Sequence, residues 1–222
     1  MKKFNFWSLL LLIPFALGLC VALNDVYGVF EPLKTAVFSF EEAVFNVTRT
    51  LAPAMDIPFR VFTELGDTIG VVSVTALVFI ISAITKKHFF TVGLPVAVTV
   101  ILSRVVNITI KGIMDRERPE FKTFFADESS FPSGHSQNNM ALYIALLLTL
   151  LVIVTAPKWR CILKISLIGL PLLIGFTRIY FGVHYISDVI AGWSMGALLA
   201  IIINYFYFKI YYRIKDKNNA KA

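Results

Sequence analysis

The sequence predicts an all-α, polytopic membrane protein. It should have six transmembrane helices plus an outer amphipathic helix, forming one domain over residues 1–222. Three observations carry this expectation. Hydrophobic residues make up 57% of the chain and charged residues only 16%, where soluble domains run at about 45–50% apolar. The mean hydropathy is +0.75, which excludes a disordered chain and argues against an ordinary soluble enzyme. The apolar residues also fall into runs long enough to cross a bilayer, which takes about 20 residues each.

In chain order the runs cover 5–24, 68–85, 89–110, 137–156, 162–180 and 186–208. The first opens on Lys2-Lys3 and ends on the small-x-small step Cys20-Val21-Ala22, both marks of a cleaved signal peptide. Its apolar core is longer than a signal peptide needs, so it reads as a span. The third contains Arg104, which is costly in a bilayer unless it is paired or faces a polar cavity. The sixth carries Gly192 and Gly196, a small-xxx-small pair suited to close packing within the bundle. Between the first two runs, Val37, Phe40, Val44, Val47 and Leu51 recur at three- and four-residue steps. They predict an amphipathic helix ended by Pro53, lying on the outer leaflet over a lipid substrate or packed on the bundle.

Lys and Arg set the orientation. With the N-terminus inside, 12 of the 21 fall in cytoplasmic segments, eight in outer segments, and Arg104 within a span. Of the 14 acids, 13 then lie outside. Both tallies predict that both termini lie in the cytoplasm, and the expected location is the plasma membrane. The net charge of +7 belongs to inner loops and a basic tail, 209–221, that meets anionic lipid. No basic patch with interleaved aromatics suggests nucleic acid. Cys20 and Cys161 fall on opposite sides and read as free thiols.

The chemistry-bearing residues gather in two outer segments, 111–136 and 177–188. The first runs from Lys111 to Arg118-Pro119 and on to Pro132-Ser133-Gly134-His135; the second holds Arg178, His184 and Asp188. Lys111 and Arg118 are seven apart and share a face if the third span reaches that far, although Pro119 disfavours helix at Arg118. Pro132-Ser133-Gly134 precedes the fourth span, where backbone N–H groups at a helix start make an anion site. His184 and Asp188 are i, i+4, so in a helix the carboxylate can fix the imidazole tautomer.

Three cations and an amide nest suit a phosphate dianion. A carboxylate-held imidazole is a good nucleophile toward phosphorus, and a second imidazole can protonate the leaving oxygen. No metal or other cofactor is required, because the cations neutralise charge on the equatorial oxygens. Each residue has a plainer reading: snorkelling cations, Ser133 as a helix cap, His184–Asp188 as a structural hydrogen bond. Together, on one side of the membrane, they argue for phosphoryl transfer, though the residues alone leave open which histidine attacks. Asp115, Glu117, Glu120, Asp127 and Glu128 read as a solvated loop, since their spacing matches no metal-ligand pattern.

These three motifs resemble the signature of the type 2 phosphatidic acid phosphatase superfamily, membrane lipid phosphatases related to bacterial acid phosphatases and vanadium haloperoxidases. Lys111 to Arg118-Pro119, Pro132 to His135, and Arg178, His184, Asp188 stand at the family spacing. Thr177 stands where the family usually has Ser, and Ile186 where many bacterial members have Pro. The resemblance implies that His184 attacks and becomes a phosphohistidine, that Asp188 orients it, and that His135 is general acid and then base. It assigns phosphate binding to Lys111, Arg118, Ser133, Gly134 and Arg178. It implies an amphiphilic lipid phosphate as substrate, foremost undecaprenyl pyrophosphate, with phosphatidylglycerophosphate and phosphatidic acid as rivals, or phosphotransfer to another acceptor. The implied partners are the bilayer and that substrate, with no obligate protein partner.

Overall fold

In lipid a backbone must satisfy its own polar groups, and a helix does so within one segment. The apolar runs accordingly become helices. The computed structural model describes residues 6–86, 88–123 and 129–219. A 3-10 turn at Phe6–Leu11 leads into α1 (Leu12–Tyr27), followed by α2 (Glu31–Arg49), α3 (Asp56–Leu65) and α4 (Thr68–Thr85). A π-helical turn at Phe89–Gly93 runs into α5 (Leu94–Met114), and α6 (Gly134–Ile153), α7 (Pro157–Tyr180) and α8 (Ile186–Asn219) complete the chain. Six of these segments are long and apolar enough to cross a membrane, beginning at Trp7, Thr68, Phe89, Gly134, Pro157 and Ile186.

The ends differ from the sequence reading for local reasons. α7 starts at Pro157, earlier than residue 162, because proline is pre-set for a first helical turn. α8 continues to Asn219, past residue 208, as a helix whose last turns carry solvated Lys and Arg.

The outer segment holds two helices where one was expected. α2 forms as anticipated, but α3 follows it beyond Pro53. Its Pro58 is the third residue, where the backbone N–H has no intrahelical partner to lose. Arg49 and Asp56 bridge the two helices at 2.7 Å. The apolar stripe of α2 is only partly covered: Val37 and Val44 are half-buried, while Phe40 and Val47 are 62% and 67% exposed. Its buried residues are instead Glu41 and Thr48.

α6 lies at the centre, packed by α5, α7 and α8. Val96, Val100, Leu142, Leu146, Ile174 and Ala200 belong to one core cluster. The two glycines of α8 do face the bundle. A Cβ at Gly192 would meet the Ser133 carbonyl at 2.8 Å, and one at Gly196 would meet the Gln137 carbonyl at 2.2 Å. α1 packs on the start of α8 through Gly18, whose added Cβ would lie 2.9 Å from the Ser187 carbonyl. Cys20 and Cys161 are both free thiols.

Candidate active site

α5 ends at Met114 because Asp115 adopts a left-handed conformation, φ 42°. Arg118 therefore sits in the loop beyond the helix, not on the helical face of Lys111, which corrects the shared-face expectation in the direction Pro119 indicated. The two still converge on one cavity. The loop folds back on itself: Ser130 N–H donates to the Arg116 carbonyl at 2.8 Å, and Lys111 Nζ donates to the Ser129 carbonyl.

The second motif is organised by the start of α8. His184 lies two residues before the helix, so its contact with Asp188 crosses the helix cap instead of running along a helical face. Asp188 is the third helical residue, and its Oδ2 accepts the Tyr185 backbone N–H at 3.0 Å, the reach-back half of a capping box. The same oxygen lies 3.4 Å from His184 Nδ1. That pairing puts the ring proton on Nδ1 and leaves the Nε2 lone pair toward the cavity, 3.2 Å from Arg118 Nη1. His184 is 3% exposed. Burial pushes its pKa down to about 3 against the opposing pull of Asp188, with Arg118 lowering it further. The ring is therefore neutral at ordinary pH.

Behind this pair stands a buried cluster that the sequence reading missed. Arg116 donates to Asp188 Oδ1 at 2.6 Å and to Asp25 of α1 at 2.8 Å. It also bonds the Ser187 hydroxyl at 3.0 Å and lies over the Tyr185 ring at 4.1 Å. Glu41 of α2 accepts the Ile186 N–H at 2.6 Å and the Ser187 N–H at 3.4 Å, so a carboxylate meets the positive end of α8. Burial, then the Asp188 charge, raise the Glu41 pKa to about 7. Ile186 supplies the N–H of the shorter contact, which a proline at this position would lack.

Arg178 enters from the last turn of α7, with its guanidinium bonded to Thr63 of α3 at 2.6 Å. Thr177 beside it is fully buried, its hydroxyl donating to the Ile174 carbonyl at 2.6 Å. His135, in the first turn of α6, has Nε2 3.9 Å from Asp67. Its carbonyl is held by Asn139, which also donates to the Gly66 carbonyl. Thr63 and Asp67 had no signal in the sequence.

Gly134 and His135 line the cavity, but Ser133 does not. Ser133 is fully buried: its hydroxyl caps α6 by accepting from Ser136 N–H at 3.4 Å, and its own N–H donates to the Asp188 carbonyl. Asp115, Glu117 and Glu120 are exposed, while Asp127 and Glu128 lie outside the described residues. Among the described residues no group of three or more His, Cys, Asp or Glu could hold a metal ion.

The cavity measures about 610 Å³, the size of a small-molecule site. Its polar end is formed by Lys111, Arg118, Arg178, His135, His184 and Asp67. Its apolar end runs between α4 and α5 along Val71, Val72, Val100, Ile101 and Val105, with Arg104 among them.

Fold and site together define the class: an all-α, multi-pass membrane phosphatase fold. The chain belongs to the PAP2 superfamily, whose sequence profile matches residues 92–212 and so covers all three motifs. It is similar to Undecaprenyl-diphosphatase of Sulfolobus acidocaldarius, 30% identical over 210 residues and 91% of each chain. It is also similar to Phosphatidylglycerophosphatase B of Bacillus subtilis, 34% identical over 109 residues, a match covering 48% of this chain and 54% of that protein. That match thus spans about half the relative's length. Among solved structures, the transmembrane PAP2 type phosphatidylglycerolphosphate phosphatase of Bacillus subtilis superposes with a TM-score of 0.76 at 24% identity, covering 91% of this chain and 98% of that one. Aquifex aeolicus LpxE gives 0.53 at 24% identity, covering 74% and 93%. Both likenesses speak to the fold.

Proposed function

We propose that the chain, as a single membrane domain, hydrolyses a lipid phosphate or pyrophosphate through a phosphohistidine on His184. The observation that carries this reading is the His184 ring, paired at Nδ1 with Asp188, whose Nε2 opens on a cavity shared with His135 and the three cations. Nε2 attacks phosphorus as the bond to the leaving oxygen breaks, and His135 gives that oxygen a proton. Lys111, Arg118 and Arg178 neutralise the equatorial oxygens, with the Gly134 end of α6 as an amide donor. Ser133 contributes through the cap that fixes this helix start. Asp188 holds the proton on Nδ1. His135 then takes a proton from water, the oxygen attacks phosphorus, and the P–N bond breaks to release inorganic phosphate.

The excess of Lys and Arg on inner segments supports an outward-facing site with both termini in the cytoplasm. The substrate we favour is undecaprenyl pyrophosphate, supported by the similarity to Undecaprenyl-diphosphatase over nearly the whole chain. Phosphatidylglycerophosphate is the second reading, supported by the higher local identity to Phosphatidylglycerophosphatase B. The test is phosphate release by detergent-purified protein in excess EDTA, on undecaprenyl pyrophosphate, phosphatidylglycerophosphate and phosphatidic acid. We expect turnover by the wild type, none by His184→Ala, and a loss of roughly 10²–10⁴-fold in His135→Ala, the usual share of general acid catalysis. Wild-type rates from His184→Ala would overturn the mechanism. A requirement for added acceptor would favour phosphotransfer over hydrolysis.

A further inference from the structure

Lys111, Arg118 and Arg178 already outnumber the charges of one phosphate dianion, yet a fourth cation lines the same cavity. Arg104 lies on α5 seven residues before Lys111, two turns inward on the same face. Val100, Ile101 and Val105 surround it. It is ten residues from either end of α5, about 15 Å at the helical rise. Among the described residues it has no hydrogen-bond or ion-pair partner. An unpaired cation at mid-span marks a functional site by default, because the bilayer makes it costly.

Beside it in the cavity wall is Asn138. Its Oδ1 is occupied by the Ser103 hydroxyl at 2.9 Å, which fixes the amide and leaves the Nδ2 donors for the cavity. A cation and an amide donor therefore stand in the apolar part of the cavity, two helical turns along α5 from Lys111.

We propose that Arg104, assisted by Asn138, binds a second, non-reacting phosphate lying between the scissile phosphate and the lipid tail. The site is then built for lipids that carry two phosphates. This rests on the phosphatase reading above and narrows its substrate class. Two chemistries supply such a group: a diphosphate ester, whose phosphates share one oxygen, and a phosphatidyl lipid whose terminal phosphate is spaced from the diester by glycerol.

Same-tail pairs separate these sources from each other and from single-phosphate lipids. Rates on farnesyl diphosphate and farnesyl phosphate, and on phosphatidylglycerophosphate and phosphatidic acid, are compared for the wild type, Arg104→Gln and Arg104→Lys. In Arg104→Gln the kcat/KM preference for the two-phosphate member should fall roughly 10–100-fold in one pair, the loss of a charge-assisted hydrogen bond. Arg104→Lys should retain part of it. The pair in which the preference collapses identifies the source. Equal losses on both members of both pairs, or no change, would overturn the proposal. A binding arm needs no turnover: pyrophosphate and phosphate are each tested for thermal stabilisation of the protein in detergent. Arg104→Gln should lose more of the pyrophosphate shift than of the phosphate shift, and the reverse would overturn the subsite. A wild type inactive on all four lipids would overturn the phosphatase reading, and the binding arm would still decide the subsite.

Discussion

Arg116 stands between two residues of the family motif without belonging to it, yet it is the charge that holds Asp188 in place. It is 3% exposed and makes its two shortest contacts to Asp188 and Asp25, at 2.6 and 2.8 Å. Asp188 is itself fully buried, so removing the guanidinium would leave a carboxylate uncompensated behind the nucleophile. Arg116→Ala should therefore destabilise the protein by about 3–5 kcal/mol, the cost of breaking a buried pair from one side. Arg116→Lys, which keeps the charge and loses the fork geometry, should recover part of it. Thermal unfolding in detergent reads the effect, and an unchanged midpoint in Arg116→Ala would remove the residue from this role. The motif residues were legible in the sequence because each is a chemically conspicuous side chain at a fixed local spacing. Their supports were not, since Asp25, Thr63 and Glu41 reach their partners across 91, 115 and 145 positions. No periodicity records such a contact, and a lone acid in an outer loop reads as solvated.

At the scale of elements, the six spans were legible because bilayer burial imposes one rule on every residue of a run. The outer helices obey a weaker rule. The period of α2 was visible, but not the residue that docks it, because Glu41 is a carboxylate that finds the N–H groups of α8. α3 went unseen because it has only ten residues and two prolines bracket its start. The contact of α6 with α8 was signalled by Gly192 and Gly196, and it matters more than packing alone. The same approach sets Ser133 against the Asp188 backbone at 3.1 Å, which ties the two motif-bearing helix starts together. A side chain at Gly196 would have to push α6 away, because its Cβ would lie 2.2 Å from the Gln137 carbonyl. Gly196→Val should cost about 1–3 kcal/mol from overpacking and lower turnover with it, whereas Gly169→Val, where an added Cβ meets nothing within 4 Å, should change neither. Paired unfolding and phosphate-release measurements on the two variants test this, and equal behaviour would show that the α6–α8 contact is not what aligns the site.

For the whole molecule, function depends on which side of the membrane the cavity opens. A carrier lipid presents its phosphate to one compartment, and the same cations on the other face would meet a different pool. Charge favours the outer side: cytoplasmic loops collect Lys and Arg, and Lys158, Arg160 and Lys164 crowd the start of α7, at the end of that helix opposite Arg178. Cys161 lies in this turn and is exposed, as is Cys20 within α1. Only Cys161 is at a span end, because the exposed surface of Cys20 lies along a membrane-crossing helix and faces lipid. A membrane-impermeant maleimide should therefore leave intact cells or right-side-out vesicles unlabelled and label inverted vesicles at Cys161, with Cys161→Ser abolishing the signal. Labelling of Cys161 from the outside would place His184 and His135 in the cytoplasm, since α7 joins the two sites by a single crossing. That result would redirect the search for substrate to inner-leaflet lipids while leaving the phosphate chemistry of the cavity unchanged.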